Sequence, residues 1–144
     1  MIYISHRGNT EGINLDKENT PSYIDKAITT GFDVEVDVWY INDQFWLGHD
    51  KPTIQIPISF LNNDRLWVHC KNIDALYKLY NYTHCFFIDV DKVSLTSKNY
   101  LWTYTGEKLT PKSICVLPEQ VKYTSKELEI SAGICSDLIA NYII

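Results

Sequence analysis

His6-Arg7-Gly8 follows directly on the apolar run Ile2 to Ile4. An imidazole there can exchange a proton near neutral pH, a guanidinium can grip an anion through its planar fork, and the glycine permits a tight turn beside them. The run Asp33-Val-Glu35-Val-Asp37-Val38 alternates acid with valine. In a strand, that period of two sends all three acids to one face and the valines to the other. Carboxylates on the inner face of a barrel are costly as bare anions, and Mg²⁺ or Ca²⁺ prefers this kind of oxygen ligand. Gln44-Phe-Trp-Leu-Gly-His49-Asp50 comes after the turn residues Asn42-Asp43, so the chain doubles back and returns an imidazole to the same rim. His69-Cys-Lys71 ends a later apolar run. Alternation puts His69 and Lys71 on one face, where Lys71 can neutralise anionic oxygens and His69 can ligate a metal. Taken singly, each of these runs also fits a polar loop or a solvated strand face.

These groups converge only if the strands carrying them lie side by side and point the same way. Seven β-branched and aromatic runs predict strands: Ile2 to Ile4, Val34 to Val38, Leu66 to His69, Cys85 to Val90, Leu101 to Tyr104, Ile114 to Leu117 and Gly133 to Cys135. A first helix is punctuated by Thr20 as cap, Pro21 in the first turn, the apolar face Tyr23, Ile24, Ala27 and Ile28, and Gly31 at its end. A second starts after Asn72, with Ile73, Leu76, Tyr77 and Tyr80 at helical spacing, and a short third follows the capping box Thr124-Ser-Lys-Glu127. Strand, helix, strand, helix, strand argues for parallel pairing through crossover helices. Between Cys85 and Leu117 the connections, such as Lys92 to Asn99, are too short and polar for packed helices, and a complete eightfold barrel takes roughly 200 residues or more. The expected fold is α/β, a shortened or irregular TIM-type β/α barrel with reduced outer helices; an open doubly wound sheet is the alternative.

At 144 residues, with no Gly, Ser or Pro-rich linker, the chain is expected to form one domain over 1–144. A net charge of −5 lacks the basic footprint that nucleic acid or an anionic membrane calls for, which favours a small substrate. No apolar stretch approaches a membrane span, and the start lacks the pattern of a signal peptide. Cys70, Cys85, Cys115 and Cys135 sit in or beside apolar runs without Cys-x-x-Cys spacing, so buried free thiols in a reducing, cytoplasmic compartment are expected.

Taken in order, His6-Arg7-Gly8, Glu18-Asn19-Thr20, Asp33-x-Glu35-x-Asp37, Leu47-Gly48-His49-Asp50 and Lys71 resemble the glycerophosphodiester phosphodiesterase family, within the wider phosphatidylinositol phospholipase C-like barrels. Order and spacing carry the resemblance, which spans Met1 to about Asn72; the tail Ala132 to Asp137 is similar to the family's last barrel strand more weakly. The resemblance implies a metal-dependent phosphoric diester hydrolase, or a lyase that forms a cyclic phosphate first. It implies one divalent cation, Mg²⁺ or Ca²⁺, held by Glu35 and Asp37 with Glu18 beside it. His6 and His49 would exchange the roles of general base and acid, and Arg7 and Lys71 would contact phosphate. His69 stands where the family usually has an acidic metal ligand, a change that weakens hard-ion binding and opens the site to Mn²⁺ or Zn²⁺. A catalytically degenerate phosphoester-binding module on the same barrel is the alternative from another class. Asp89 and Asp91 share a strand face and could extend the pocket, with Trp102 and Tyr104 as its walls.

Overall fold

In the computed structural model, which describes residues 1–143, the strands are β1 Ile2–His6, β2 Asp33–Ile41, β3 Gln44–Leu47, β4 Ile54–Ile56, β5 Leu66–Cys70, β6 Cys85–Phe86, β7 Val93–Leu95, β8 Leu101–Tyr104, β9 Ser113–Val116 and β10 Gly133–Ser136. The α-helices are α1 Pro21–Thr29, α2 Ile73–Leu79 and α3 Ser125–Glu129. Each predicted strand run has a counterpart, and β3, β4 and β7 are additional. Among the described residues no helix is long and apolar enough to cross a membrane.

The expected TIM-type barrel does not form. The ten strands make one mixed sheet curled into a half-barrel. Seven of them run parallel in the order β6, β5, β2, β1, β10, β9, β8. The departure comes from the connections. Residues 42–56, instead of crossing over, return as β3 and β4, antiparallel to β2 and to each other. Both turn residues Asn42 and Asp43 have positive φ, the backbone of a tight hairpin whose twist matches the strands. The short polar segment 92–99 likewise forms a strand, β7, antiparallel to β8. β6 has two residues and shares no ladder with β7, so the curl ends there. Ser97 N–H donates to the Cys85 carbonyl at 2.8 Å and Cys85 N–H to Ser97 Oγ at 2.9 Å, which ties the loop after β7 to β6. Nor is the sheet doubly wound, because α1 and α2 both pack on its outer face.

Side-chain parity divides that sheet into two cores. Val34, Val36 and Val38 point outward and bury against Ile24 and Ala27 of α1 and Ala75 and Leu79 of α2, together with Leu66, Val68 and Cys70 of β5. Ile4, Trp67, Phe86, Trp102, Ile114, Val116 and Cys135 point inward and fill the hollow of the curl. Trp102 stacks on Phe86 with centroids 4.4 Å apart, joining β8 to β6 across that hollow. All four cysteines are buried and free.

The helices follow their predicted signals with two corrections. Pro21 opens α1, yet Thr20 does not cap it: its hydroxyl donates to the Lys17 carbonyl at 2.6 Å. α2 is capped by Asn72, whose side chain accepts from Ala75 N–H at 3.0 Å. It buries Ala75 and Leu79, with Leu76 partly buried against the same core, and leaves Ile73, Tyr77 and Tyr80 exposed, so only Leu76 of the predicted set reaches the core. The capping box Thr124 to Glu127 forms, and α3 is five residues long.

Gly133 shows how tightly the inner core closes. A Cβ there would lie 2.6 Å from the Ile2 carbonyl oxygen, 2.8 Å from Ile2 Cβ and 3.0 Å from Ile114 Cδ1, with backbone on one side leaving little room to yield. Gly133→Ala is therefore expected to destabilise the fold by about 1–3 kcal/mol, read as a lower urea midpoint with unchanged slope; a midpoint equal to the native one would mean that β1 and β9 move apart freely.

Candidate metal centre

β2 delivers Glu35 and Asp37 to the inner face, above the apolar floor of Ile4, Trp67 and Phe86. Register places His6 of β1 opposite Glu35, and His69 of β5 opposite Asp37. One donor atom from each of Glu35, Asp37 and His69 lies within 4.8 Å of the others, and all three residues are buried. His69 Nδ1 is 3.1 Å from Asp37 Oδ1 and 3.8 Å from Glu35 Oε1.

Positive side chains ring this group. After β1 the chain turns sharply: Arg7 adopts a left-handed conformation with φ 56°, and Gly8 follows at φ 92°. A Cβ on Gly8 would meet Tyr23 Cδ1 at 2.8 Å, so glycine is needed both for the turn and for the approach of α1. The turn brings Arg7 Nε to 3.2 Å from Asp37 Oδ2 and Arg7 Nη1 to 3.2 Å from Glu18 Oε1. Lys71 Nζ reaches Asp37 Oδ1 at 3.8 Å from the end of β5. Asn19 clamps Asp37 twice: its amide donates to Oδ2 at 2.9 Å, and its carbonyl oxygen accepts the Asp37 N–H at 3.0 Å.

The two central carboxylates differ in consequence. Burial alone would raise the pKa of Asp37, but the neighbouring His69, Arg7 and Lys71 outweigh it and hold this carboxyl well below the usual range. Glu35 is less well escorted, with His6 and His69 each at 3.8 Å and no cation closer. Burial and the neighbouring Asp37 charge push its pKa up. Glu35 Oε2 and Asp37 Oδ1 are buried without a hydrogen-bond partner. Four carboxylates, Glu18, Glu35, Asp37 and Asp137, thus face two permanent cations, Arg7 and Lys71. The orphaned oxygens and the surplus of negative charge fit a divalent cation, and the buried Glu35, Asp37 and His69 could hold a metal ion.

His6 is held from the far side of β1. Its Nδ1 lies 2.8 Å from Asp137 Oδ1, just beyond β10, which leaves Nε2 directed to Glu35 Oε2 at 3.8 Å. Burial lowers the His6 pKa, but the Asp137 hydrogen bond and the Glu35 charge outweigh it, and the net shift is upward from 6.5. Asp137 also accepts from Asn9 Nδ2 at 2.8 Å, and Asn9 Nδ2 reaches Glu18 Oε2 at 3.1 Å, so one amide links the two flanking acids.

Of the residues singled out in the sequence, His6, Arg7, Glu18, Glu35, Asp37, His69 and Lys71 form this connected cluster. Glu18 sits at its edge, on Arg7 and Asn9, outside the close triad. His49 stands apart. The β3–β4 hairpin continues on the edge of β2 that β1 vacates, with Gly48 N–H donating to the Asp37 carbonyl at 3.2 Å. That course leaves the His49 side chain 39% exposed and paired at 2.8 Å with Asp50, on a cleft of about 420 Å³ that it shares with Glu18, Asn19 and Thr53. Asp89 and Asp91 are exposed in the chain beyond β6, which stops at Phe86, so they do not extend the pocket. Tyr104 is partly buried at the end of β8, where burial and the Glu35 charge push its phenol up to about 12.

Sequence reading missed Asn9, Asn19 and Asp137 as structural members of the cluster. Asp137 had a usable signal: it follows Cys135 by two residues, so it shares the inward parity of that strand. The asparagines act through local loop geometry, which carries no periodic signal.

The His6–Asp137 pair has a defined pH signature. Because the folded pKa of His6 is raised, its stabilising share is complete below the unfolded value of 6.5 and is lost as pH rises through the folded one. Asp137→Asn should lower the His6 pKa, measured by NMR titration of the ring nitrogens; an unchanged titration would mean that Asp137 does not hold the proton. Glu35→Gln should melt above the native protein in the presence of a chelator, because it removes an uncompensated buried charge, and should lose any metal-induced rise in melting temperature. Comparison of the chain with protein-family models, with curated proteins and with solved structures finds no match.

Proposed function

We propose that this protein is a metal-dependent phosphodiesterase, similar in its motifs to the glycerophosphodiester phosphodiesterase family, acting on a small phosphodiester. The observation that carries the reading is the convergence at Asp37: a group able to hold a cation, with Arg7 at 3.2 Å and Lys71 at 3.8 Å from the same carboxylate. A phosphodiester carries one negative charge and gains more as phosphorus is attacked, so positive groups fixed at one point favour the transition state over the ground state. Glu35, Asp37 and His69 would hold the ion, drawn from Mg²⁺, Ca²⁺, Mn²⁺ or Zn²⁺, and the chemistry it supplies is Lewis-acid stabilisation of phosphoryl oxygens.

The chain's own residues do the rest. Arg7 offers a planar fork to phosphate oxygens, and Lys71 a point charge from the facing strand. His6, with Nδ1 turned to Asp137, presents Nε2 to the cluster and is placed to take a proton from an attacking hydroxyl or water. His49 lies on the neighbouring cleft with Asp50 behind it and is placed to return a proton to the leaving alkoxide. Attack by a vicinal hydroxyl of the substrate would give a cyclic phosphate; attack by water would give the open product. The apolar floor of Ile4, Trp67 and Phe86 keeps bulk water from beneath the site, which strengthens each of these interactions.

The exposed position of His49 favours a second reading, a phosphoester-binding module on the same scaffold that has lost turnover. Turnover of an aryl phosphodiester, with divalent cations and with chelator, separates the two. For the enzyme, His6→Ala and Glu35→Ala should each lower kcat/KM by about 10²–10⁴-fold, and His49→Ala should impair substrates with poor leaving groups more than those with good ones. Metal-independent turnover insensitive to these substitutions would reject the mechanism, and tight phosphoester binding without turnover would establish the binding module.

A further inference from the structure

The geometry points to a metal preference: the Glu35–Asp37–His69 centre selects a first-row transition ion, Mn²⁺ or Zn²⁺, over Mg²⁺ or Ca²⁺. This deepens the proposed function, resting on it only for the placement of a cation in this cluster.

The first ground is that the nitrogen ligand is aimed. His69 Nε2 lies 3.2 Å from the Ile88 carbonyl oxygen. A carbonyl only accepts, so Nε2 carries the hydrogen of that bond, and in the neutral ring the lone pair is on Nδ1. Nδ1 is the nitrogen that faces Asp37 Oδ1 at 3.1 Å and Glu35 Oε1 at 3.8 Å. An N–H to backbone carbonyl contact behind the ring is the usual support of an imidazole that ligates through its other nitrogen. The ring plane is set as well: it stacks on Phe86 at 5.1 Å and 12°, and β5 and β6 pair these two residues directly. Swinging Nδ1 away from the acids would break both contacts.

The second ground is the oxygen supply. Asp37 already serves Arg7 at 3.2 Å, Lys71 at 3.8 Å and Asn19 at 2.9 Å, so much of its charge is shared before any ion arrives. That leaves Glu35 as the acid with least compensation, its Oε2 unpartnered and its residue 2% exposed. Ca²⁺ takes 6–8 oxygens, whereas the close triad provides two carboxylates and one imidazole; Mg²⁺ can complete its shell with water, so against Mg²⁺ the nitrogen ligand decides. An imidazole adds little for those hard ions, more for Mn²⁺, which also accepts the two carboxylates, and most for Zn²⁺.

The test measures metal binding to the native protein by calorimetry, with EPR of the Mn²⁺ form, and sets this beside phosphodiester turnover. Mn²⁺ and Zn²⁺ should bind at least about tenfold more tightly than Mg²⁺ and Ca²⁺. The Mn²⁺ form should show hyperfine coupling to one imidazole nitrogen. In His69→Asp that coupling should vanish and the ratio of Mn²⁺ to Mg²⁺ affinity should fall; the native measurements stand whether or not this variant folds. Mg²⁺ or Ca²⁺ binding as tight as Mn²⁺, or Mn²⁺ bound without nitrogen coupling, overturns the preference. If either result accompanies metal-dependent turnover, the phosphodiesterase reading survives; if the preference holds and no phosphodiester is cleaved, that reading falls alone.

Discussion

Two carboxylates, Glu35 and Asp37, are buried side by side on the inner face of one strand, and the surrounding structure is arranged around that cost. Desolvating one anion is unfavourable, and placing a second beside it compounds the penalty. Asp37 is met from three directions, by Arg7 from the turn after β1, Lys71 from the end of β5 and Asn19 from the loop before α1. Glu35 receives two imidazoles at 3.8 Å and no hydrogen bond on Oε2. A chain selected only for stability would replace it by an apolar residue. Its place in a triad of metal-ligand type is the physical basis for the proposal that this rim holds a cation.

The same strand organises the fold because its parity is strict. With every valine outward and every acid inward, β2 builds an apolar core against α1 and α2 and, on its other face, a polar cluster above a second apolar core. A slip of one residue would exchange the two sets, burying carboxylates among leucines and turning valines toward the site. Register is therefore over-determined at β2, and its parallel neighbours β1 and β5 place His6 and His69 at the levels of Glu35 and Asp37. Farther along the curl the helical connections shrink to the five-residue α3, an antiparallel strand and 3-10 turns.

Two histidines with different surroundings serve the site unequally. His6 is partly buried, fixed by Asp137 and raised in pKa. His49 rides on a hairpin, half in solvent, with Asp50 as its neighbour. In the proposed mechanism the first would accept a proton beside the charged cluster and the second would donate one from the edge of an open cleft. Rigidity on one side and access on the other follow from strand against hairpin.

Much of this was already written in local patterns. Alternation at residues 33–38 settled which face carries the acids, because a strand allows one parity only, and the same rule paired His69 with Lys71. The turn at Asn42-Asp43, the start of α1 at Pro21 and the capping box of α3 were legible because each is a contact among near neighbours. Closure was not. Whether the strands complete a barrel depends on what fills the connections, and a polar segment such as 92–99 has no pattern that distinguishes a crossover turn from an edge strand until β8 lies beside it. The rotation of α2 was equally illegible: Ile73, Tyr77 and Tyr80 share helical spacing with Leu76, yet the sheet takes Ala75 and Leu79. Asp137 behind His6 and Ile88 behind His69 are contacts across sequence separations of 131 and 19 residues; such contacts exist only once the chain is folded, because no local preference encodes who stands behind an imidazole.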